Sequence, residues 1–293
     1  MSAPAERDAA AGSWAEVRAH LEALGFHPSR KLGQNFLVDR NLARAIVRDA
    51  RVEAGDFVLE VGPGCGVLSR ELAALGVRLL AVEIDRRLVD VARQALAPFP
   101  QASVLRADVL AGKHALAPEV LELLPRSGAW HVVANLPYSA GTPFVVVASR
   151  LACPPQSLTV LLQSELVERL AAAPGGRTWG PVGAKLRNVY EVAVLRRVAP
   201  ELFWPRPQVD SALVRLELRA DRSEPAGLPA YDRLVDWLFQ ARRKTLGSRL
   251  AEVLGDRQTA LDRLAELGLD PRARPETLGV DTLRALTRAL GRG

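Results

Sequence analysis

An α/β chain with a parallel sheet, followed by a smaller all-α C-terminal domain, is the architecture that these 293 residues predict. Two observations carry it. Between residues 56 and 163, short apolar β-branched runs alternate with stretches of helical periodicity, the mark of βα units whose strands are covered on both faces. After "DRSEPAGLP" (221–229) the strand signal stops, and the rest is helix after helix with Gly and Pro breaks. A boundary near 221–228 divides the chain into an N-terminal helical extension (1–30), an α/β domain (31–222) and a helical domain (223–293).

The elements follow in order. "SWAEVRAHLEALG" (13–25) has helical apolar spacing with a Ser start and a Gly stop. "RKLGQNFLVD" (30–39) reads as a loop, and "NLARAIVRDARV" as an amphipathic helix. Then come strand "DFVLEV", helix "GVLSRELAALG", strand "VRLLAVEI", helix "RRLVDVARQAL" and strand "ASVLRAD". A Pro-punctuated stretch leads to strand "WHVVANL", helix "TPFVVVASRL", strand "SLTVLLQ" and helix "SELVERLAAA". "YEVAVLRRV" (190–198) and "SALVRLEL" (211–218) flank a Pro-rich loop, which suggests an antiparallel pair closing the sheet.

Composition bounds the function. Net charge is +6 with a pI near 9.9, and the only lysines are Lys31, Lys113, Lys185 and Lys244. A basic balance favours a nucleic-acid partner, since phosphate contacts supply most non-specific affinity. An Ala-, Arg-, Leu- and Pro-rich composition would give the same figure with no such partner. Cys65 and Cys153 are too few for a disulfide framework and lack metal-ligand spacing. No apolar run reaches the ~18 residues of a membrane span, and the N-terminus reads as no secretory signal. A cytoplasmic chain is expected.

"VLEVGPGCGVLSREL" places Gly62, Gly64 and Gly66 between a strand and a helix, where a ligand can approach the backbone. The dinucleotide fingerprint needs a small residue at position 67, where Val67 stands. That argues against an NAD oxidoreductase. The next strand ends at Glu83, near the spacing at which an acid grips ribose hydroxyls. The third ends at Asp108, placed either to accept from an exocyclic base amine or to cap the element that follows. Glu60 ahead of the glycines, with no phosphate-binding lysine, suits a cationic nucleoside such as S-adenosylmethionine.

"HVVANLPYSAGTPF" (131–144) begins as a buried strand and breaks at Asn135. The Asn135 side-chain carbonyl and the Leu136 backbone carbonyl are two acceptors, Pro137 stiffens the turn, and Tyr138 supplies a flat face. Together they describe a site for a planar base with an amino group. Both amine hydrogens would be accepted, leaving nitrogen lone-pair density for attack on an electrophilic methyl. The target must be unstacked to reach such a site.

N-L-P-Y after E-x-G-x-G-x-G, with "LGQNFLVD" upstream, resembles the ribosomal RNA adenine N6,N6-dimethyltransferases of the KsgA/RsmA type. The likeness runs from about Lys31 to about Leu250 and includes "PELFWPRPQVDSALVRL" and "FQARRKTLGSRL". It implies a Rossmann-like class I methyltransferase sheet that binds S-adenosylmethionine. It also implies dimethylation of adjacent adenosines in a hairpin loop near the 3′ end of 16S rRNA, on an immature small subunit, by a monomer. By this resemblance Asn35, Leu37, Gly62, Glu83, Asp108 and Asn135 contact the cofactor, and Asn135 to Tyr138 form the catalytic loop. Phe203 matches the aromatic that sandwiches the adenine against Tyr138, and the helical tail matches the domain that helps hold RNA. Arg30, Lys31, Arg242, Arg243 and Lys244 are either phosphate contacts or solvated surface. No metal is expected.

Departures from the family pattern fall at Ser139-Ala140-Gly141, at Ser164 where Lys is usual, and at Arg177 and Trp179. Two alternatives stand beside this reading. One is the large-subunit methylase of the macrolide-resistance type, against which stand "FQARRKT", "VDSALVRL" and the long helical tail. The other is a ribosome-assembly or transcription factor that lost catalysis, against which stand the intact N-L-P-Y and glycine loop.

Overall fold

The structure, a computed structural model, describes residues 14–23, 25–29 and 32–291, apart from the His20 side chain. Arg30 and Lys31 lie outside the described residues. The chain divides into two compact units: Met1–Ala148, Cys153–Ser164 and Val194–Leu216 form one, and Ser149–Ala152, Glu165–Ala193 and Glu217–Gly293 the other.

In the first unit, helix α1 (Trp14–Ala23) precedes β1 (Phe36–Leu37) and α2 (Arg40–Ala50), whose start is capped by the Asp39 carboxylate accepting from Leu42 N–H at 2.6 Å. The βα units are β2 (Phe57–Val61) with α3 (Val67–Leu75), β3 (Arg78–Glu83) with α4 (Arg86–Leu96), and β4 (Ala102–Arg106) with the short α5 (Pro118–Leu121). Then follow β5 (Trp130–Asn135) with α6 (Gly141–Ala148), and β6 (Ser157–Gln163), after which α7 (Ser164–Ala171) belongs, past its first residue, to the other unit. The pairs β4/β3, β3/β2, β2/β5 and β5/β6 are all parallel. This is the α/β sheet that the alternating pattern predicts.

Helix α8 (Pro181–Arg187), in the other unit, was not expected. Strands β7 (Tyr190–Val198), β8 (Phe203–Trp204) and β9 (Ser211–Leu218) complete the set, and the seven-stranded order is β4-β3-β2-β5-β6-β9-β7. Strand order reverses between β2 and β5, so a crevice opens at the carboxyl ends of β2, β3 and β5. The loop expected over 30–39 holds a surprise. Phe36 and Leu37 pair antiparallel with Trp204 and Phe203, making a separate two-stranded ribbon.

The first core fills with Leu42, Ile46, Val58, Leu72, Leu79, Val133 and Leu161, which join the sheet to its covering helices. A second apolar cluster gathers Trp14, Val17, Leu21, Phe26, Phe36, Cys65, Leu88 and Trp204. In the other unit, α9 (Leu228–Gln240), α10 (Leu246–Leu254), α11 (Arg257–Glu266) and α12 (Val280–Leu290) enclose a core that includes Trp179, Tyr231, Leu238, Leu250 and Leu283. This is the helical run expected after residue 229.

Candidate active site

The first wall of the crevice is the glycine turn after β2. Gly62 sits at φ +71°, and a Cβ there would meet the Pro137 ring at 3.2 Å. Gly33, at φ +64°, faces the same loop: a Cβ would meet the backbone nitrogens of Tyr138 and Ser139 at 3.1 and 3.3 Å. The Asn135–Tyr138 loop is therefore held between two glycines whose backbones take left-handed conformations open to Gly.

The second wall is acidic. Glu83 ends β3, 4 % exposed, and its carboxylate accepts from Gly64 N–H at 3.1 Å and Asp85 N–H at 2.9 Å. Burial raises its pKa, while those two N–H groups pull it back. Glu60 on β2 is 1 % exposed, and its Oε2 accepts no hydrogen bond among the described residues. Burial pushes the Glu60 carboxyl up to about 8, and the nearby Glu83 carboxylate adds to this. The Ser69 hydroxyl offsets part of the rise, although it makes no hydrogen bond of good geometry. A buried acid without a partner is costly unless a donor or cation arrives, and both acids line one cleft.

The third wall is the Gly33–Leu37 segment. Gln34 Nε2 donates to Asp85 at 3.0 Å, and Asp85 also takes the Arg87 guanidinium at 2.8 Å. Burial works against the Asp85 carboxylate, but the Arg87 and Gln34 bonds outweigh it and lower its pKa. Asn135 donates its Nδ2 to the Asn35 carbonyl at 2.8 Å. Because that partner can only accept, the amide orientation is forced, and Asn135 Oδ1 is the atom left for another donor. Leu136 is 1 % exposed as a whole residue and is not among the residues that line the cleft. Tyr138 is half-buried, with its hydroxyl 2.8 Å from Ser211 Oγ.

The cleft therefore brings together Asn35, Leu37, Gly62, Glu83, Asn135 and Pro137. Asp108 is not in its lining. It is exposed, and its Oδ1 accepts from Leu110 N–H at 3.0 Å, which is the capping arrangement. Phe203 is 4 % exposed and shares the core cluster with Leu37, Val198 and Leu213. Arg242, Arg243 and Lys244 are exposed: Arg242 donates to the Trp179 carbonyl at 3.1 Å, and Lys244 pairs with Glu252 at 2.6 Å. Sequence reasoning missed Gln34, Phe36, Ile84 and Leu88 as lining residues. The "GQNF" motif was the available signal for the first two.

A family profile described as "Ribosomal RNA adenine dimethylase" matches residues 25–274. The chain belongs to the ribosomal RNA adenine dimethylase family. It is thus an enzyme of the rRNA adenine dimethyltransferase kind, and its substrate class is ribosomal RNA. Among curated relatives of the dimethylase, the Leifsonia xyli protein "Ribosomal RNA small subunit methyltransferase A" is 40% identical over 272 residues, 90% of this chain and 93% of its own length. The Deinococcus radiodurans protein of that name is 39% identical over 278 residues, 94% and 90%. Of solved structures, the 23S rRNA methyltransferase ErmE matches with TM-score 0.67 and 27% identity, over 88% of this chain and 100% of its own. A Plasmodium falciparum dimethyladenosine transferase gives TM-score 0.73 at 19% identity, over 87% and 96%, and supports the fold. No helix of the described residues is long and apolar enough to cross a membrane.

Proposed function

We propose that this dimethylase methylates the exocyclic N6 of adjacent adenosines in a hairpin loop near the 3′ end of 16S rRNA, during maturation of the small subunit. The observation that supports the chemistry is the Asn135–Asn35 hydrogen bond, which leaves Asn135 Oδ1 as an acceptor; in this reading the Leu136 carbonyl is the second one. Two relatives at 40% and 39% identity are named for the small subunit, whereas the large-subunit enzyme ErmE shares 27%.

The residues fit S-adenosylmethionine as cofactor. Glu60 has a buried carboxyl oxygen, Oε2, without a partner among the described residues and suited to a positive group, Glu83 offers its remaining lone pairs to hydroxyls, and Gly62 lets Pro137 of the catalytic loop pack close to the glycine turn. Asn35, Leu37, Gly62, Glu83 and Asn135 would hold it, and Asp108 would join them if its carboxylate turned from Leu110. Bound there, the cofactor supplies an electrophilic sulfonium methyl. Asn135 Oδ1 and the Leu136 carbonyl accept the two amine hydrogens and favour the positive charge that develops on N6. Pro137 holds those acceptors in place, and Tyr138 stacks on the extruded base. The alkylated amine is acidic and loses its proton afterwards, so no dedicated base is required. Phe203 serves as the second ring in this reading only by turning out of its core cluster.

In the same reading the chain acts as a cytoplasmic monomer, its α/β domain (31–222) carries the chemistry, and its helical domain (223–293) helps grip RNA through Arg242, Arg243 and Lys244. The test is methyl transfer from labelled S-adenosylmethionine to immature 30S particles lacking the modification. Label in N6-dimethyladenine of small-subunit RNA is the expected result. Label in large-subunit RNA, or binding without transfer, would overturn the reading.

A further inference from the structure

A stacking face orients a base only if the ring itself is held. Tyr138 follows Pro137 on a loop and is half-buried, so packing alone leaves its ring room to pivot. Its hydroxyl is tied: the Oη–Oγ distance to Ser211 is 2.8 Å. Ser211 is a rigid anchor, being the first residue of β9 and 1 % exposed. The residue before it is pinned as well, since the Asp210 carbonyl accepts Ser164 N–H at 2.9 Å. Neither Tyr138 nor Ser211 belongs to the lining of the cofactor cleft.

We propose that Ser211 is a positioning residue for methyl transfer, fixing the Tyr138 ring through its hydroxyl and so setting the plane of the target base without a part in cofactor binding. The proposal rests on the functional reading above and adds to it a residue that touches neither substrate nor cofactor.

The second transfer depends on this tie more than the first. Unmodified adenine presents two N–H groups to the acceptor pair of Asn135 and Leu136. The monomethylated amine retains one N–H and so makes one of those two bonds. The stacking face then carries a larger share of the positioning, and a loose ring is felt most at that step.

The experiment compares wild type, Ser211→Ala, Tyr138→Phe and the double variant on immature 30S particles, resolving mono- from dimethyladenine. Affinity for S-adenosylmethionine is followed by calorimetry. Each single variant is expected to lower kcat about tenfold, the scale of one positioning hydrogen bond. Monomethyl product should accumulate and cofactor affinity should stay at the wild-type value. The double variant should be no worse than either single one, because both remove the same bond. Tyr138→Phe leaves β9 untouched, so it reports the tie even if Ser211→Ala were to destabilise the strand.

Wild-type kcat and product ratio in both single variants would overturn the proposal, as would additive losses in the double variant or a parallel loss of cofactor affinity. Those outcomes are read against an active wild type and leave the functional reading intact. A wild type that methylates no small-subunit RNA would overturn both.

Discussion

Asn135 and Asn35 stand a hundred residues apart and meet through one hydrogen bond, Nδ2 to carbonyl oxygen, at 2.8 Å. It joins the end of a central strand to the loop before α2 and decides that Oδ1 is the amide atom left to accept. Asn135→Ala should leave the fold intact and reduce methyl transfer by about a hundredfold or more, the scale of losing a preorganised acceptor. Asn135→Asp separates the two roles. It keeps an oxygen toward the substrate but sets another against the Asn35 carbonyl, so cofactor affinity should fall together with rate. Single-turnover transfer and calorimetry check both, and an Asp variant with wild-type affinity would contradict the linkage.

If the cleft holds a cationic cofactor as proposed, Glu60 should make its binding pH-dependent. With its carboxyl pushed up to about 8, it is protonated at neutral pH, and a cationic ligand would draw it into the ionised form. Affinity should therefore rise between pH 6 and about 8, approaching tenfold per unit, with a proton released on binding. Calorimetry in two buffers of different ionisation heat counts that proton. The stability of the protein measured without cofactor should move the other way. A raised carboxyl pKa contributes stability that is present below the ordinary value of 4.5 and is lost as pH rises through about 8. Glu60→Gln should flatten both profiles, and slopes unchanged in that variant would refute the assignment.

The alternation of strand and helix was legible because each βα unit declares itself locally, and β7 and β9 fall on the runs read from the sequence. The glycine turn, Glu83 and the N-L-P-Y loop were legible for the same reason, as residue types at strand ends. What stayed hidden depends on partners far along the chain. The two-residue ribbon of Phe36–Leu37 with Phe203–Trp204 is too short to have a periodicity. Ser211 read as a strand's first residue, not as the partner of Tyr138 seventy-three positions away. Gln34 gave no hint that it would reach Asp85, fifty-one residues on. Helix α8 was masked by the Gly-Pro start that a reader takes for loop. At Asp108 the local alternative, a cap on the next turn, is the contact the structure contains.

Gly33 should be intolerant of a side chain for a reason that can be separated from backbone strain. It has φ +64°, and a Cβ would press on the backbone nitrogens of Tyr138 and Ser139, which cannot swing aside as a side chain could. Gly25 provides the control, with φ +62° and nothing within 4 Å of the Cβ position. Gly25→Ala should cost about 1 kcal/mol from strain alone. Gly33→Ala should cost more and should also lower kcat, because it displaces the loop that carries the acceptors. Thermal melts and steady-state kinetics distinguish the two, and equal costs with wild-type kcat in both would show that the close approach is unimportant.

Helix α1 is tied to the cleft by a chain of rings. Trp14 lies 5.5 Å from Trp204, Trp204 stacks on Phe36 at 6.0 Å and 26°, and Phe36 lines the cleft beside Gly64 and Cys65. Arg18 adds a guanidinium 5.6 Å from the Trp204 ring centroid. Trp14→Ala should therefore cost about 1–2 kcal/mol from lost ring contact and apolar burial. The loosened Phe36 should weaken cofactor affinity several-fold while kcat at saturating cofactor stays near wild type, since neither the acceptor pair nor Tyr138 is touched. Trp14→Ala and Trp204→Ala act on one stack, so their effects on affinity should be less than additive. Unfolding curves together with cofactor titrations of the two single variants and the double one test this. A Trp14→Ala protein that loses stability yet binds cofactor as tightly as wild type would confine α1 to a purely structural role.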